Sequence, residues 1–264
     1  MVCTHIQVSP IPDEKDLVAL YKNVSDDSFY GNGCSVGLIA KYQSDKTFLA
    51  RFFSERLDVI DSLGLNKSSK ILDFGCTNGV FVMALEDAGF LNGYGYDIAE
   101  DLVDEGTRRG LRLFTGRLDD LAAAEHDSFD LIISYNVFEH LAEPTTVLAS
   151  LQRLLKKDAH LVISVPFIKS LQARLLKEKS PIVDPPFHIH YFTRKSAARL
   201  LSEHGFEVLR MSTPFWSRLT DVYLTMHGFS ETSARLLRYL ATPLRGVMML
   251  LNLGGNLLIV AKRV

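Results

Sequence analysis

The sequence predicts a doubly wound α/β fold with a parallel-rich sheet. Three observations lead there. From about residue 70 onward, short apolar runs alternate with stretches of helical periodicity. One run ends in an acid and passes through a glycine turn into a helix, as Ile71-Leu-Asp-Phe-Gly-Cys-Thr-Asn-Gly-Val-Phe81. The next run ends in a second acid, Asp97.

The elements follow in order. Residues 1–44 are mixed, with turn-forming clusters such as Gly-Asn-Gly at 31–33. Residues 45–63 read as one helix, with Phe48, Leu49, Phe52, Phe53, Leu57 and Ile60 on roughly one face and Gly64 as the stop. Lys70–Phe74 reads as a strand, and Val80–Ala88 as a helix closed by Gly89. Gly93–Tyr96 is a strand, Ala99–Arg109 a helix closed by Gly110, and Leu111–Phe114 a strand. Phe129–Ser134 is a strand, Thr145–Leu155 a helix, and His160–Val165 a strand stopped by Pro166. Thr193 is placed to cap a helix that ends at Gly205. Phe206–Met211 and Asn256–Ala261 are the last strands. Residues 167–192 and 213–255 fall outside the alternation and read as insertions at the ligand crevice. The expected organisation is an N-terminal helical cap over 1–66 and a main domain over 67–264.

Bulk numbers bound the function. The 264 residues suffice for one large α/β domain and a sizeable core. Hydrophobic residues make up 47% and charged residues 23%, the balance of an ordinary globular protein. A net charge of −2 supplies no global basic field, which speaks against a nucleic-acid partner. Cys3, Cys34 and Cys76 are too few and too scattered for a disulfide framework. The opening MVCTHIQVSPIPDEK has neither the basic nor the apolar region of a secretory leader, so a cytoplasmic location is expected. Val247–Val260 is too short to span a bilayer.

The glycine turn specifies a ligand. Asp73-x-Gly75-x-Thr77-x-Gly79 lets backbone approach closely, and the helix it enters offers free N–H groups. A dinucleotide fold would have G-x-G-x-x-G for a pyrophosphate. Here an acid precedes the first glycine, which suits a ligand carrying an ammonium group. Asp97 occupies the position that faces a ribose in this architecture.

These residues resemble the class I S-adenosylmethionine-dependent methyltransferases, from about Lys70 to Lys262. FDLIISYNVFEHL at 129–141 is similar to the family's fourth-strand motif, best in the branch with ubiquinone-pathway and polysaccharide-cluster enzymes. RLLKKDAHLVISVPF at 153–167 and HYFTRKSAARLLSEHGFEVL at 190–209 match later elements. The resemblance implies a Rossmann-like, seven-stranded, mostly parallel sheet and S-adenosyl-L-methionine as cofactor, with S-adenosyl-L-homocysteine as product. It implies cofactor contacts at Asp73, Gly75, Cys76, Thr77, Gly79, Asp97, Ile98 and Asn136, and at a loop formed by Leu118 and Asp119 that flanks the adenine. Three departures stand out. Thr77 replaces a small residue, Arg117 replaces the acid that meets the adenine amine, and Lys157-Asp-Ala-His160 replaces a Pro-Gly-Gly turn.

The cofactor's sulfonium already activates its methyl group, so positioning and exclusion of water are the protein's main tasks. A hydroxyl acceptor also needs a base, and the candidates are Glu139, His140, His188 and His190. His188 and His190 alternate in Pro185-Pro-Phe-His-Ile-His-Tyr-Phe192, so an extended segment turns both one way. Some relatives hold a divalent ion with Glu-x-x-Glu-His and a later histidine. Here Asn136 stands at the first of those positions; Glu139, His140 and His188 or His190 could still give three ligands, but the lost carboxylate weakens the case and no metal is assigned. The segment 230–253 sets Arg235, Arg238 and Arg245 among leucines and reads as a lid or dimer face, or as a membrane-surface helix. The expected activity is O-methylation of a small-molecule, glycan or lipid-linked acceptor. Nucleic-acid methylation and a non-catalytic cofactor-binding scaffold are the alternatives.

Overall fold

The computed structural model describes residues 5–12, 38, 39, 42, 43, 45, 47–180, 182–214, 230, 232, 233, 236, 239, 246, 247, 250, 251 and 253–264. Its main sheet has seven strands: β2 (Ile71–Phe74), β3 (Gly93–Tyr96), β4 (Leu113–Phe114), β5 (Phe129–Tyr135), β6 (Leu155–Pro166), β8 (Phe206–Ser212) and β9 (Asn256–Arg263). Their order across the sheet is β4-β3-β2-β5-β6-β9-β8. The first five are parallel, and β9 runs antiparallel to both of its neighbours. A separate two-stranded pair joins β1 (Ile6–Gln7) to β7 (His190–Tyr191).

Helices cover both faces. α1 (Phe48–Phe52), α2 (Ser54–Ser62) and α3 (Val80–Asp87) lie on one side, contributing Leu49, Val59, Ile60, Val80, Phe81 and Leu85 to one core. α5 (Leu118–Ala124), α6 (Pro144–Leu154) and α8 (Arg194–Glu203) supply the other, through Leu121, Leu148, Leu151 and Leu201. α4 (Glu100–Arg108) and the short α7 (Leu171–Leu176) complete the helices used below. Strand residues alternate between the two cores. Leu257, Ile259 and Ala261 of β9 face one, and Leu258 and Val260 face the other. Each fully buried side chain of this size contributes about 1.5–3 kcal/mol, which fixes the register of the central strands.

The doubly wound, seven-stranded architecture agrees with the expectation, and four local readings change. The helix expected over 45–63 bends at Phe53, whose ring is buried and meets Phe81 edge-on at 5.1 Å. Tertiary packing of that ring outweighs the continuous helical periodicity. Leu118-Asp119, expected as a loop, opens α5. The stretch at 157–160 lies within β6, but the pairing with β5 skips from Phe129↔Leu155 to Leu131↔His160, so residues 156–159 bulge out of the ladder, Asp158 adopting φ +64° there. The segment 185–192 is not extended throughout. Residues 185–187 form a turn, and the His188 N–H donates to Asp184 O at 2.8 Å. Most of the 213–255 insertion and much of the 1–66 cap lie outside the described residues, as do Arg235, Arg238 and Arg245. Among the described residues, no helix is long and apolar enough to cross a membrane.

Candidate functional site

The strand order reverses direction between β2 and β5, which share a parallel register from Ile71↔Leu131 to Asp73↔Ile133. Open α/β sheets bind ligands beyond the carboxyl ends of strands at such a switch point. The residues there are Asp73 and the turn after it, Asp97 after β3, and Tyr135 to His140 after β5.

Asp73 is buried within β2. Burial pushes its carboxyl up to about 6, while the Arg56 guanidinium pulls it down and Asp97 pushes it further up. Gly75 and Gly79 both adopt left-handed backbone, at φ +87° and +81°. A Cβ at Gly75 would stand 2.2 Å from Val137 Cγ2, so only glycine lets the β5 loop close over the turn. Gly75 N–H and Cys76 N–H both donate to Tyr96 O, tying the turn to β3. Cys76 is buried, and burial pushes its thiol well up from the usual range. Thr77 takes φ +51° and is exposed.

Asp97 organises the second wall. Its Oδ2 accepts from Thr77 N–H at 2.8 Å and its Oδ1 from Ala99 N–H at 2.9 Å. The Ile98 N–H also favours the charged form of Asp97, and a carboxylate with about four acceptor positions keeps capacity beyond these three. Burial raises its pKa, and these backbone N–H groups oppose that rise. Ile98 beside it is 58% exposed, a bare apolar surface next to the acid. Leu118 packs back on the core. The Asp119 carboxylate turns away, accepting from the Ser150 hydroxyl at 2.7 Å and from Arg153 at 2.5 Å. Asn136 sits at φ +55° after β5, and its Oδ1 accepts from Asn256 Nδ2 at 3.3 Å.

The third wall carries the titratable cluster. Glu139 is 1% exposed, and among the described residues no hydrogen bond from another residue reaches either of its oxygens. Burial pushes it up to about 8. His140 Nε2 stands 3.7 Å from Glu139 Oε1. His140 Nδ1 donates to Phe187 O at 2.8 Å, and His188 Nδ1 donates to Ile182 O at 2.8 Å. Carbonyls only accept, so each ring carries its proton on Nδ1 and presents a lone pair at Nε2. Burial, with His188 adding to it, pushes His140 down to about 4, and burial lowers His188 as well. One ligand atom each from Glu139, His140 and His188 all lie within 4.8 Å of one another. Backbone carbonyls orienting both imidazoles are the outer support that metal-binding histidines use.

His190 joins a different group. Its Nδ1 lies 2.9 Å from His5 Nε2, and both rings border Phe192. The expected His188–His190 pair is therefore split by the turn at Asp184, which rotates His188 toward Glu139. Sequence reasoning missed His5 and also Arg56. The signal for Arg56 was a charge inside the apolar stripe of α2, three residues after Phe53 and four before Ile60.

Comparisons with known proteins agree with this fold. The methyltransferase-domain family matches residues 44–211. The chain belongs to that family, within the class of S-adenosylmethionine-dependent methyltransferases. A ubiquinone biosynthesis O-methyltransferase of Neisseria meningitidis serogroup C is 29% identical over 118 residues, 41% of this chain and 49% of that protein. The C-methyltransferase NovU of Streptomyces niveus is 26% identical over 160 residues, 58% of this chain and 36% of that protein. The chain thus spans about half or less of the length of these curated relatives. A putative methyltransferase of Haloferax volcanii, solved in complex with the Trm112 methyltransferase activator, aligns with a TM-score of 0.58 at 18% identity. That alignment covers 84% of this chain and 96% of the other.

Proposed function

We propose that the protein transfers a methyl group from S-adenosyl-L-methionine to a hydroxyl of a small-molecule, glycan or lipid-linked acceptor. The observation that carries the hydroxyl is the cluster of Glu139, His140 and His188 beside the glycine turn, with two imidazole lone pairs turned inward. Val137, three residues from His140, packs directly on Gly75, so the cluster adjoins the cofactor turn. The family's cofactor fits the donor set. Asp73 suits an ammonium, Asp97 retains acceptor capacity for a ribose hydroxyl, and the bare Ile98 with Leu118 suits a purine face. Gly75, Cys76, Thr77 and Gly79 offer close backbone, Asp119 contributes backbone only, and Asn136 stands at the acceptor side. Bound, the cofactor supplies a methyl group activated by positive sulfur.

The chain's own work is to exclude water and hold a proton acceptor. The depressed basicity of the buried histidines keeps both neutral at pH 7, with Nε2 ready to take the acceptor's proton. His140 and His188 are the bases, and His190 shapes the pocket with His5 and Phe192. A second reading rests on the same trio: two imidazoles and one carboxylate would hold a divalent cation, which would supply Lewis acidity that lowers the pKa of an acceptor hydroxyl. The relatives named O-methyltransferases support the hydroxyl, while NovU's name supports carbon as the alternative atom.

The test starts with calorimetry on the wild type. S-adenosylhomocysteine binding in the micromolar range, about −8 kcal/mol, is expected. Binding of a nicotinamide dinucleotide in its place would overturn the cofactor. Methyl transfer to a panel of hydroxylated aromatics and glycans then follows for His140→Ala, His188→Ala and His190→Ala. Loss of a base lowers turnover about 10²–10⁴-fold with cofactor affinity unchanged. Activity lost to chelator and restored by a divalent ion, with Glu139→Ala as damaging, selects the cation. Full activity in both His140→Ala and His188→Ala refutes either role.

A further inference from the structure

We infer that His5 is a positioning residue for the acceptor side of the site: through β7 it holds in place the turn that carries Glu139 and His140. The inference rests on the reading above in taking that turn as the acceptor wall. It assigns a role to a residue outside the span 44–211 that the family matches.

The wall is thin. Glu139 and His140 stand on a single turn of 3-10 helix, Phe138–His140. Beside it, β7 has two residues, and among the described residues its strand partner is β1. Such a two-stranded pair is marginal in water on its own. The three segments are nevertheless joined backbone to backbone. Val8 N–H donates to Ile189 O at 2.9 Å, and Ile189 N–H donates to Glu139 O at 2.7 Å. One residue, Ile189, thus carries both links. It is fully buried, whereas Ile6 and Gln7 of β1 are exposed. β1 is the outer layer, and what it covers is dry.

Side chains fasten the same layer. His5 Nε2 lies 2.9 Å from His190 Nδ1, so one ring supplies the proton between them and the other accepts it. The two ring centroids are 5.1 Å apart, and the His5 ring stands 5.3 Å from that of Phe192. His190 is buried, and among the described residues its Nε2 has no hydrogen bond. The bond to His5 therefore sets how this ring is turned. Burial and then His5 lower the pKa of His190, while the carbonyls of Leu141 and Ala142 oppose them. The ring accordingly lies between β1 and the chain that leaves His140.

A buried carboxyl and two buried imidazoles keep their chemistry only while water is excluded. β1 is the covering on this side. Without His5, the two residues of β7 have only backbone bonds to hold them to β1, and the turn bearing Glu139 loosens with them.

The experiment measures amide hydrogen exchange on the full chain, which reports local opening segment by segment. Segments 137–142 and 187–192 are read against 160–165 of β6 in the central sheet. His5→Ala is expected to speed exchange in the first two about 3- to 10-fold, the worth of one hydrogen bond, and to leave 160–165 unchanged. His5→Phe keeps a ring beside Phe192 without the bond; it should match His5→Ala and serves if His5→Ala does not fold. His5→Gln keeps a donor at similar reach and should restore the protection. Val8→Pro removes the N–H that meets Ile189 O and should act in the same direction through the other link. Affinity for S-adenosylhomocysteine should stay within about twofold in every variant, because the cofactor is held at the glycine turn. Unchanged exchange in His5→Ala overturns the inference. So does equal acceleration of 160–165, which assigns β1 to general stability. Wild-type protection in His5→Phe also overturns it, because it assigns His5 to packing. A wild-type protein that does not bind S-adenosylhomocysteine refutes the cofactor reading instead, and the exchange result is read independently of it.

Discussion

Gly75→Ala tests the closest approach in the site. The new Cβ would meet Val137 Cγ2 at 2.2 Å, far inside van der Waals contact, at a backbone φ of +87°. Two costs add. Left-handed backbone for a residue with a Cβ costs about 1–2 kcal/mol. Forcing a methyl into a filled space costs about 1–3 kcal/mol, at the upper end here because valine has few χ1 alternatives. Gly75→Ala is therefore expected to destabilise the fold by about 2–5 kcal/mol, read as a fall in urea midpoint at unchanged slope. Val137→Ala removes the obstructing methyl. In the double variant, only the backbone cost and Val137's own lost packing should remain. The coupling between the two sites should then be about 1–3 kcal/mol in the relieving direction. Strict additivity would refute the claim that the β5 loop closes on the glycine turn. The same loop carries Asn136 and the Glu139–His140 pair, so cofactor affinity should fall in Gly75→Ala and return in the double variant.

Three further outcomes are expected. Cofactor affinity should drop as pH falls below about 6, by up to tenfold per unit, because burial raises Asp73 to about 6 and its protonated form cannot pair with a cation; a flat calorimetric profile from pH 7 to 5 refutes this. With chelator present, wild-type stability should fall from pH 6.5 to 8 by on the order of 2 kcal/mol, since folded Glu139 keeps until about 8 a proton that the unfolded chain has already released. Glu139→Gln should flatten that slope, and an unchanged slope in thermal melts counts against a buried neutral carboxyl. Thr193→Ala removes a capping box in which Thr193 Oγ1 accepts from Ser196 N–H at 3.1 Å and Thr193 N–H donates to Ser196 Oγ at 3.0 Å; it should cost about 1 kcal/mol with cofactor affinity intact, and a loss of affinity instead would place α8 in the site.

The parts of the site legible in the sequence are those that a few neighbouring residues determine. Asp73, Gly75 and Gly79 are read from one turn, because positive φ and close backbone approach demand glycine whatever surrounds them. Asp97 follows from its place at the end of the next strand, read together with the motifs around it. The histidines were legible as chemistry but not as geometry. His188 meets His140 only because the chain turns at Asp184 and its ring is held by Ile182 O, an interaction no periodicity announces. His190 was expected beside it and instead faces His5, brought by β1 from far along the chain. Arg56 was hidden for a different reason. A charged residue in an amphipathic helix ordinarily reads as a solvated face, and only the bend at Phe53 and the rings of Phe81 and Tyr135 turn this one inward. Asp119 could not be placed from sequence either: its carboxylate goes to Ser150 and Arg153 of α6, a contact between segments about thirty residues apart.

The place of β9 in the sheet has a bearing on how the molecule is made. β9 is inserted between β6 and β8, and β8 pairs with no strand but β9 among the described residues. While the chain is being synthesised from its N-terminus, everything through β8 can exist with the sheet open at β6. That open margin exposes the unpaired backbone of the long strand Leu155–Pro166 and leaves both cores short of their five innermost β9 side chains. Pairing His160 with Lys262 must close a loop of roughly a hundred residues, slow to find and late to be rewarded. The growing chain therefore carries a sticky strand edge until residues 256–263 appear, and it is in that interval that aggregation or chaperone capture competes with folding.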